Sequence, residues 1–217
     1  MGYKTFTDKF FLLIVLIVLV ISYPINSKTV IHAGLLINGI NSSPSQNMSI
    51  IIDGDKIIQI ESGFIELEVE DNYIDLGSYT VLPGLIDMHV HLAGEYNKNS
   101  YLERITLNPA DNAIRATANG KKTLMAGFTT VRNVGDGDRV TISLRNAINK
   151  GIVAGPRIFS SGKTIATTGG HGDSTNSLKD SISSDPGPKE GVINGKEDAT
   201  KAVRYRYKEG ADLIKIT

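Results

Sequence analysis

His89 and His91 stand two residues apart in the run Gly84-Leu-Ile-Asp-Met-His-Val-His91. In an extended strand, alternate residues share a face, so both imidazoles and Asp87 point one way and Ile86, Met88 and Val90 the other. Two imidazoles and a carboxylate turned to one interior face are costly to bury unless they bind something. Neutral imidazole is the commonest transition-metal ligand, and water on a bound divalent ion is the usual route to hydrolysis at neutral pH. His-x-His alone is a weak motif; its surroundings decide its weight.

Those surroundings alternate. Leu85 to His91 reads as a strand, Asn112 to Met125 as a helix, and Thr129 to Val134 as a strand after Gly127. Val140, Leu144, Ala147 and Ile148 form a helical stripe stopped by Gly151, and Arg157 to Ser160 is a short strand. Ala199, Ala202, Val203 and Tyr207 form another stripe, stopped by Gly210, before a fourth strand from Leu213 to Thr217. Alternating strands and helices indicate parallel βαβ units. Barrel enzymes keep their sites at the carboxyl ends of the strands, where His89 and His91 fall. Thr167 to Gly195 is long and rich in Gly, Ser, Asp and Pro, as a functional loop is.

Ahead of this lies a β-rich stretch. Lys28 to Ile37 is mostly apolar, and Ser49–Ile52 and Lys56–Ile60 flank Asp53-Gly-Asp, a hairpin signal. Tyr73–Leu76 and Tyr79–Leu82 add two short strands. Earlier still, Lys4 and Lys9 precede the apolar run Phe10 to Ile21, the pattern of a secretory signal. The run is shorter than the roughly 20 apolar residues of a membrane span; a buried core helix and an uncleaved anchor are the alternatives. The expected organisation is residues 1–27 signal peptide, 28–83 small β-domain and 84–217 α/β domain.

Composition narrows the classes. The chain has 217 residues, 41% hydrophobic and 21% charged, ordinary for a globular protein. The 23 basic and 23 acidic residues cancel, so nucleic acid is a poor partner. With no cysteine, any metal must rest on His, carboxylate or something less usual.

Val81-Leu-Pro-Gly-Leu-Ile-Asp-Met-His-Val-His-Leu92 closely resembles the first barrel strand of the amidohydrolase superfamily, and Gly127-Phe-Thr-Thr-Val-Arg132 its second. Gly155-Pro-Arg157 and Thr168-Gly-Gly-His-Gly-Asp173 resemble the branch of imidazolonepropionase-like enzymes and Xaa-Pro or Xaa-Arg dipeptidases. Gly210-Ala-Asp-Leu-Ile-Lys-Ile216 resembles the fourth strand. The likeness runs from about Ile31 to Thr217.

The resemblance implies an α/β fold: the N-terminal half of a metal-dependent (β/α)8 TIM barrel, preceded by part of a small β-sandwich. It implies hydrolysis of C–N amide bonds, including those of dipeptides, with one or two divalent ions, zinc foremost. His89 and His91 become metal ligands. Lys215, expected to point inward with Leu213 and Thr217, would be carboxylated and bridge two metals; a lysine reaching its ammonium out to water is the alternative. His171 would orient a substrate carboxylate or carbonyl, or be a plain loop histidine. Asp87 would accept a hydrogen bond from a ligand imidazole. Asn133 stands where many relatives carry Asp, which weakens any charged role there. His32 reads as structural or exposed. Later strands supply two more histidines and the proton-shuttling aspartate in the superfamily, so no catalytic base is assigned here and the chain reads as a fragment. A non-catalytic product, and a cyclic-amide hydrolase or deaminase, are the rival readings. The expected setting is an exported protein, periplasmic or secreted, touching membrane only through its signal segment. Its partner is a small-molecule or dipeptide substrate, and the full-length protein is compatible with a homo-oligomer.

Overall fold

The computed structural model describes residues 27–217; the expected signal segment lies outside them but for Ser27. The chain divides between Pro83 and Gly84 into two compact units.

In the first unit, β1 (Thr29–Leu36) lies between β2 (Ser45–Asp53), antiparallel to it, and β4 (Asn72–Val81), parallel to it. β3 (Lys56–Ser62) pairs with β2 through the Asp53-Gly-Asp turn, and the sheet order is β3-β2-β1-β4. Ala33, Leu36 and Ile50 are buried together, with Ile31, Met48, Ile52 and Val81 against them. The expected pair of short strands around Gly77 is one strand. β4 shifts register opposite Ala33–Leu35 and continues, so Gly77 marks an irregularity rather than a break. The described strands form a single four-stranded sheet, not two stacked sheets, and Ile57, Ile58 and Ile60 of β3 stay exposed.

The second unit is α/β. Parallel strands β5 (Leu85–Val90), β6 (Phe128–Asn133) and β7 (Arg157–Ser160) stand side by side. Helix α1 (Ser100–Thr106) and α2 (Pro109–Met125) follow β5, α3 (Val140–Asn149) follows β6, and α4 (Lys196–Glu209) follows β7. Asn108 and Asp111 form a capping box at the start of α2, with Pro109 in its first turn. Gly210 ends α4 in the left-handed region, which a Cβ disfavours. Leu92, Ala116, Val131, Val140, Leu144 and Ile158 make the core, so one face of the sheet lies under α2 and α3. Val90 joins that core as its alternation requires, whereas Ile86 and Met88 remain 61% and 53% exposed.

The three parallel strands form an open sheet, and no closed barrel is seen among the described residues. One expectation needs correcting. Leu213 to Thr217 makes no fourth ladder: it meets the sheet region by one parallel bridge, Ile165 to Ile216. The reason lies in Asp212. Its carboxylate accepts the Ser160 N–H at 2.8 Å, and its own N–H donates to Ser160 O at 2.8 Å. The side chain thus occupies the end of β7 where a strand carbonyl would sit, and the chain pairs further on at Ile165. Arg145 holds Asp212 in this place by an ion pair.

Buried Arg206 ties α4 to the loops. It is 1% exposed, donates to Lys163 O and Lys189 O, and pairs with Glu209.

Candidate metal centre

His89 and His91 sit at the carboxyl end of β5 with ring centroids 5.4 Å apart and planes tilted by 59°. β5 leaves the ladder just before them: its pairing with β6 is regular at Ile86 and Asp87, then slips before Val90. Two backbone groups in that gap are satisfied by side chains. Asp87 Oδ1 accepts the His89 N–H at 2.9 Å, and Arg132 Nε donates to Met88 O at 2.7 Å. Asp87 thus holds the backbone from which His89 projects through one carboxylate oxygen.

The ring of His91 is aimed by a carbonyl. Its Nδ1 lies 2.9 Å from Gly135 O, so a proton on Nδ1 is donated there and the Nε2 lone pair is left for a ligand. Gly135 lies at φ +151°, and a Cβ on it would come within 2.6 Å of Thr164 Oγ1 and 3.4 Å of the His91 ring. Only glycine brings this carbonyl so close.

Asn133 belongs to the covered face. It is fully buried; its Oδ1 accepts the Leu92 N–H at 2.8 Å and its Nδ2 donates to Thr141 Oγ1 at 3.1 Å. Thr141 Oγ1 lies 2.8 Å from Ser160 Oγ, so one polar chain links the ends of β5, β6 and β7 to α3. Its neutral amide supplies both a donor and an acceptor, which a carboxylate would not.

The segments carrying the other candidates converge on the same end of the sheet. Thr164 lies against Gly135, and its neighbour Ile165 exchanges backbone hydrogen bonds with Lys215 and Thr217, at 2.9 and 3.0 Å. Lys215 is half-buried. His171 is exposed, while Gly172 beside it packs on Thr164, Ala166 and Thr217. A cavity of about 520 Å³ opens from His91 toward α1, lined by Tyr96, Glu103, Arg104, Leu107 and Arg115. Arg115 pairs with Glu103 at 2.6 Å, and this hydrogen bond holds the Glu103 carboxyl below the usual carboxylate range.

Among the described residues no three His, Cys, Asp or Glu side chains cluster as a metal site. The two imidazoles fit a divalent ion by chemistry and by the fixed Nδ1 of His91. Among the described residues no further His, Cys, Asp or Glu joins them, and Lys215 would qualify as a ligand only as an anion such as a carbamate.

A parallel α/β unit with paired imidazoles at its carboxyl strand ends is an arrangement suited to a hydrolase. The chain belongs to the amidohydrolase family, whose model matches residues 80–217. Members of this superfamily typically depend on metal ions. A solved Xaa-Pro dipeptidase with methionine bound in its active site is 52% identical, with a TM-score of 0.83, over 88% of this chain and 47% of its own. A prolidase complexed with N-methylphosphonate-L-proline is 31% identical with a TM-score of 0.70, over 88% of this chain and 46% of its own. Among curated proteins, ochratoxinase from Aspergillus niger is 31% identical, over 87% of this chain and 41% of its own length. The chain thus spans somewhat under half the length of these relatives.

Sequence reading missed Gly135, which holds the His91 ring, and the contacts by which Arg132 reaches Met88 O and Asn133 the Leu92 N–H. The only signal for these contacts was position, since all three residues lie at or just beyond the end of the second α/β strand.

Proposed function

We propose that this chain carries the metal-binding and loop elements of a metal-dependent amidohydrolase that cleaves C–N amide bonds, those of dipeptides among them. The carrying observation is the His89–His91 pair at a strand end, with the His91 Nδ1 committed to the Gly135 carbonyl. That hydrogen bond selects the tautomer a metal ligand needs and restricts ring rotation. Asp87 and Arg132 set the backbone from which His89 projects. The 52% identity to a structure described as a Xaa-Pro dipeptidase supports the dipeptide substrate class.

His89 and His91 would hold a divalent ion, zinc in this reading, with Lys215 as a carbamate where a second ion is bound. When bound, the ion would lower the pKa of its water and polarise the amide carbonyl. His171 would orient the substrate's carboxylate or carbonyl from the loop above the strand ends. The base that moves the proton is not assigned to a residue of this chain. Export is part of the same proposal, resting on Lys4, Lys9 and the apolar run Phe10 to Ile21. N-terminal sequencing of the exported protein should begin between about Tyr23 and Thr29; an intact Met1 form confined to the cytoplasm would exclude export.

The test is zinc content by elemental analysis, with hydrolysis of Xaa-Pro dipeptides followed in parallel. His89→Ala and His91→Ala should each weaken zinc binding by more than about 100-fold, beyond the loss expected from removing an outer partner of a ligand. Lys215→Ala should also lose metal, with partial recovery in short carboxylic acids. Zinc retained in the double histidine variant would refute the metal reading, and zinc bound by the full-length enzyme without amide turnover would refute the hydrolase reading; these 217 residues alone are expected to be inactive.

A further inference from the structure

The loop that displays His171 is tied shut from within by a carboxylate that has no other evident task. Asp173 is 6% exposed. Its Oδ2 accepts the Gly169 N–H at 2.9 Å, and its Oδ1 accepts both the Thr175 N–H at 2.9 Å and the Thr175 hydroxyl at 2.6 Å. Backbone bonds from Gly170 N to Thr167 O and from Asp173 N to Gly170 O wind the same segment into consecutive turns. Asn176 Nδ2 closes it again by donating to Gly170 O at 2.9 Å. His171 lies between the two groups that Asp173 joins.

The glycines around His171 press this knot onto the strand ends. A Cβ on Gly170 would meet the Thr167 carbonyl oxygen at 2.9 Å. One on Gly172 would meet Ala166 Cβ at 3.0 Å, and Thr164 Cγ2 and Thr217 Oγ1 at 3.2 Å. Thr164 is the residue that also lies against Gly135, the carbonyl partner of His91. The base of the loop is pinned where Ala166 pairs with Val192 and Asn194 Nδ2 donates to Thr168 Oγ1 at 2.8 Å. From outside, Arg104, which lines the cavity beside His91, donates to Ser174 O at 3.1 Å.

We propose that Asp173 is a positioning residue: it holds the 167–176 turn in the one shape that presents His171 at the carboxyl strand ends. The assignment of His171 to substrate rests on the function proposed above; the mechanical role of Asp173 does not. Backbone N–H groups aimed at a carboxylate are strong, charge-assisted partners, and two of them bracket His171 in sequence. A loop histidine on a flexible Gly-rich segment would otherwise sample many positions and lose the benefit of pre-orientation.

The experiment uses the full chain, with hydrogen exchange at Gly169 and Thr175 and the rate of His171 carbethoxylation by diethyl pyrocarbonate, read by mass spectrometry. In Asp173→Ala, exchange at both amides should rise on the order of tenfold to hundredfold, and His171 modification should change while exchange in 85–90 and 128–133 holds. Asp173→Asn, which keeps one acceptor oxygen, should fall between Asp173→Ala and the wild type. For dipeptide hydrolysis by the full-length enzyme, Asp173→Ala and His171→Ala should each lower kcat/KM, and the double variant should be no worse than His171→Ala alone. Unchanged exchange and unchanged His171 reactivity in Asp173→Ala would overturn the proposal, as would independent, multiplying losses in the double variant. If the full-length wild-type enzyme hydrolyses no dipeptide, the function proposed above fails, and the exchange and modification arms still decide the role of Asp173.

Discussion

His32 and His91 are both positioned by one ring hydrogen bond, yet the two units use them in opposite ways. In the β unit His32 is 7% exposed, stacked on Phe64 at 4.6 Å and set edge-on to Tyr73, whose hydroxyl lies 3.2 Å from its Nδ1. It fills space. In the α/β unit His91 is exposed, its main ring neighbour is another imidazole, and its Nδ1 is committed to a backbone carbonyl 44 residues away. Burial with orientation makes His32 a packing histidine; orientation without burial is what the metal role proposed for His91 would need.

The contrast breaks most sharply at Gly135. Gly135→Ala should lower zinc affinity by about 10- to 100-fold, because the Cβ displaces Thr164 or the His91 ring and loosens the carbonyl that orients the imidazole. Titration calorimetry with zinc checks this, and an unchanged affinity would mean that Gly135 does not aim His91. The mirror change is His32→Ala. It should destabilise the β unit by about 1–2 kcal/mol through lost ring packing and leave zinc binding alone. Hydrogen exchange in residues 28–83 reads the first effect, and altered zinc affinity would erase the distinction drawn here.

The smallest effect expected is in pH. Hydrogen bonds from Arg115, from Thr175 and from the Gly187 N–H hold the carboxyls of Glu103, Asp173 and Glu190 below their ordinary values. A folded-state value below the unfolded one gives stability that is present above the unfolded value and lost as pH falls through the folded one. Burial pushes Asp136 the other way. Its contribution is fully present below the unfolded value and is lost as pH rises through the folded one. All four of these groups lie in the α/β unit. Acid should therefore loosen that unit as pH drops through and below the carboxylate range, and Asp173→Asn should flatten the loss. Exchange followed from pH 6 to about pH 3 tests this; a steeper loss in the Asn variant would contradict it.

Strands and helices of the α/β unit were legible wherever glycine punctuated an apolar stripe. Gly127, Gly151 and Gly210 each bound an element seen in the structure. Helix α1 was not legible because none of its residues is buried, so it carries no stripe. Leu213 to Thr217 reads as a strand on alternation alone; what displaces it is a side-chain contact from Asp212 across 52 residues to Ser160. The same limit applies to the candidate site. His89 and His91 announce themselves by type and spacing. Gly135 holds the His91 ring across 44 residues and Asn133 holds the Leu92 N–H beside it across 41, and no local pattern encodes such partnerships. Asp87 was singled out by its neighbours, and its actual partner, the His89 N–H, is two residues away.

The gap in the β5–β6 ladder bears on how such a centre can change over generations. A side chain aimed by ladder hydrogen bonds inherits the twist of its sheet, and re-aiming it disturbs every neighbour. At Met88 and His89 the backbone is held by Asp87 and Arg132, two replaceable side chains outside the ladder itself. Selection for a different ion or a larger substrate thus has two adjustment points that cost the fold little. Variants enriched for altered metal preference should accumulate changes at 87 and 132 before they touch the histidines.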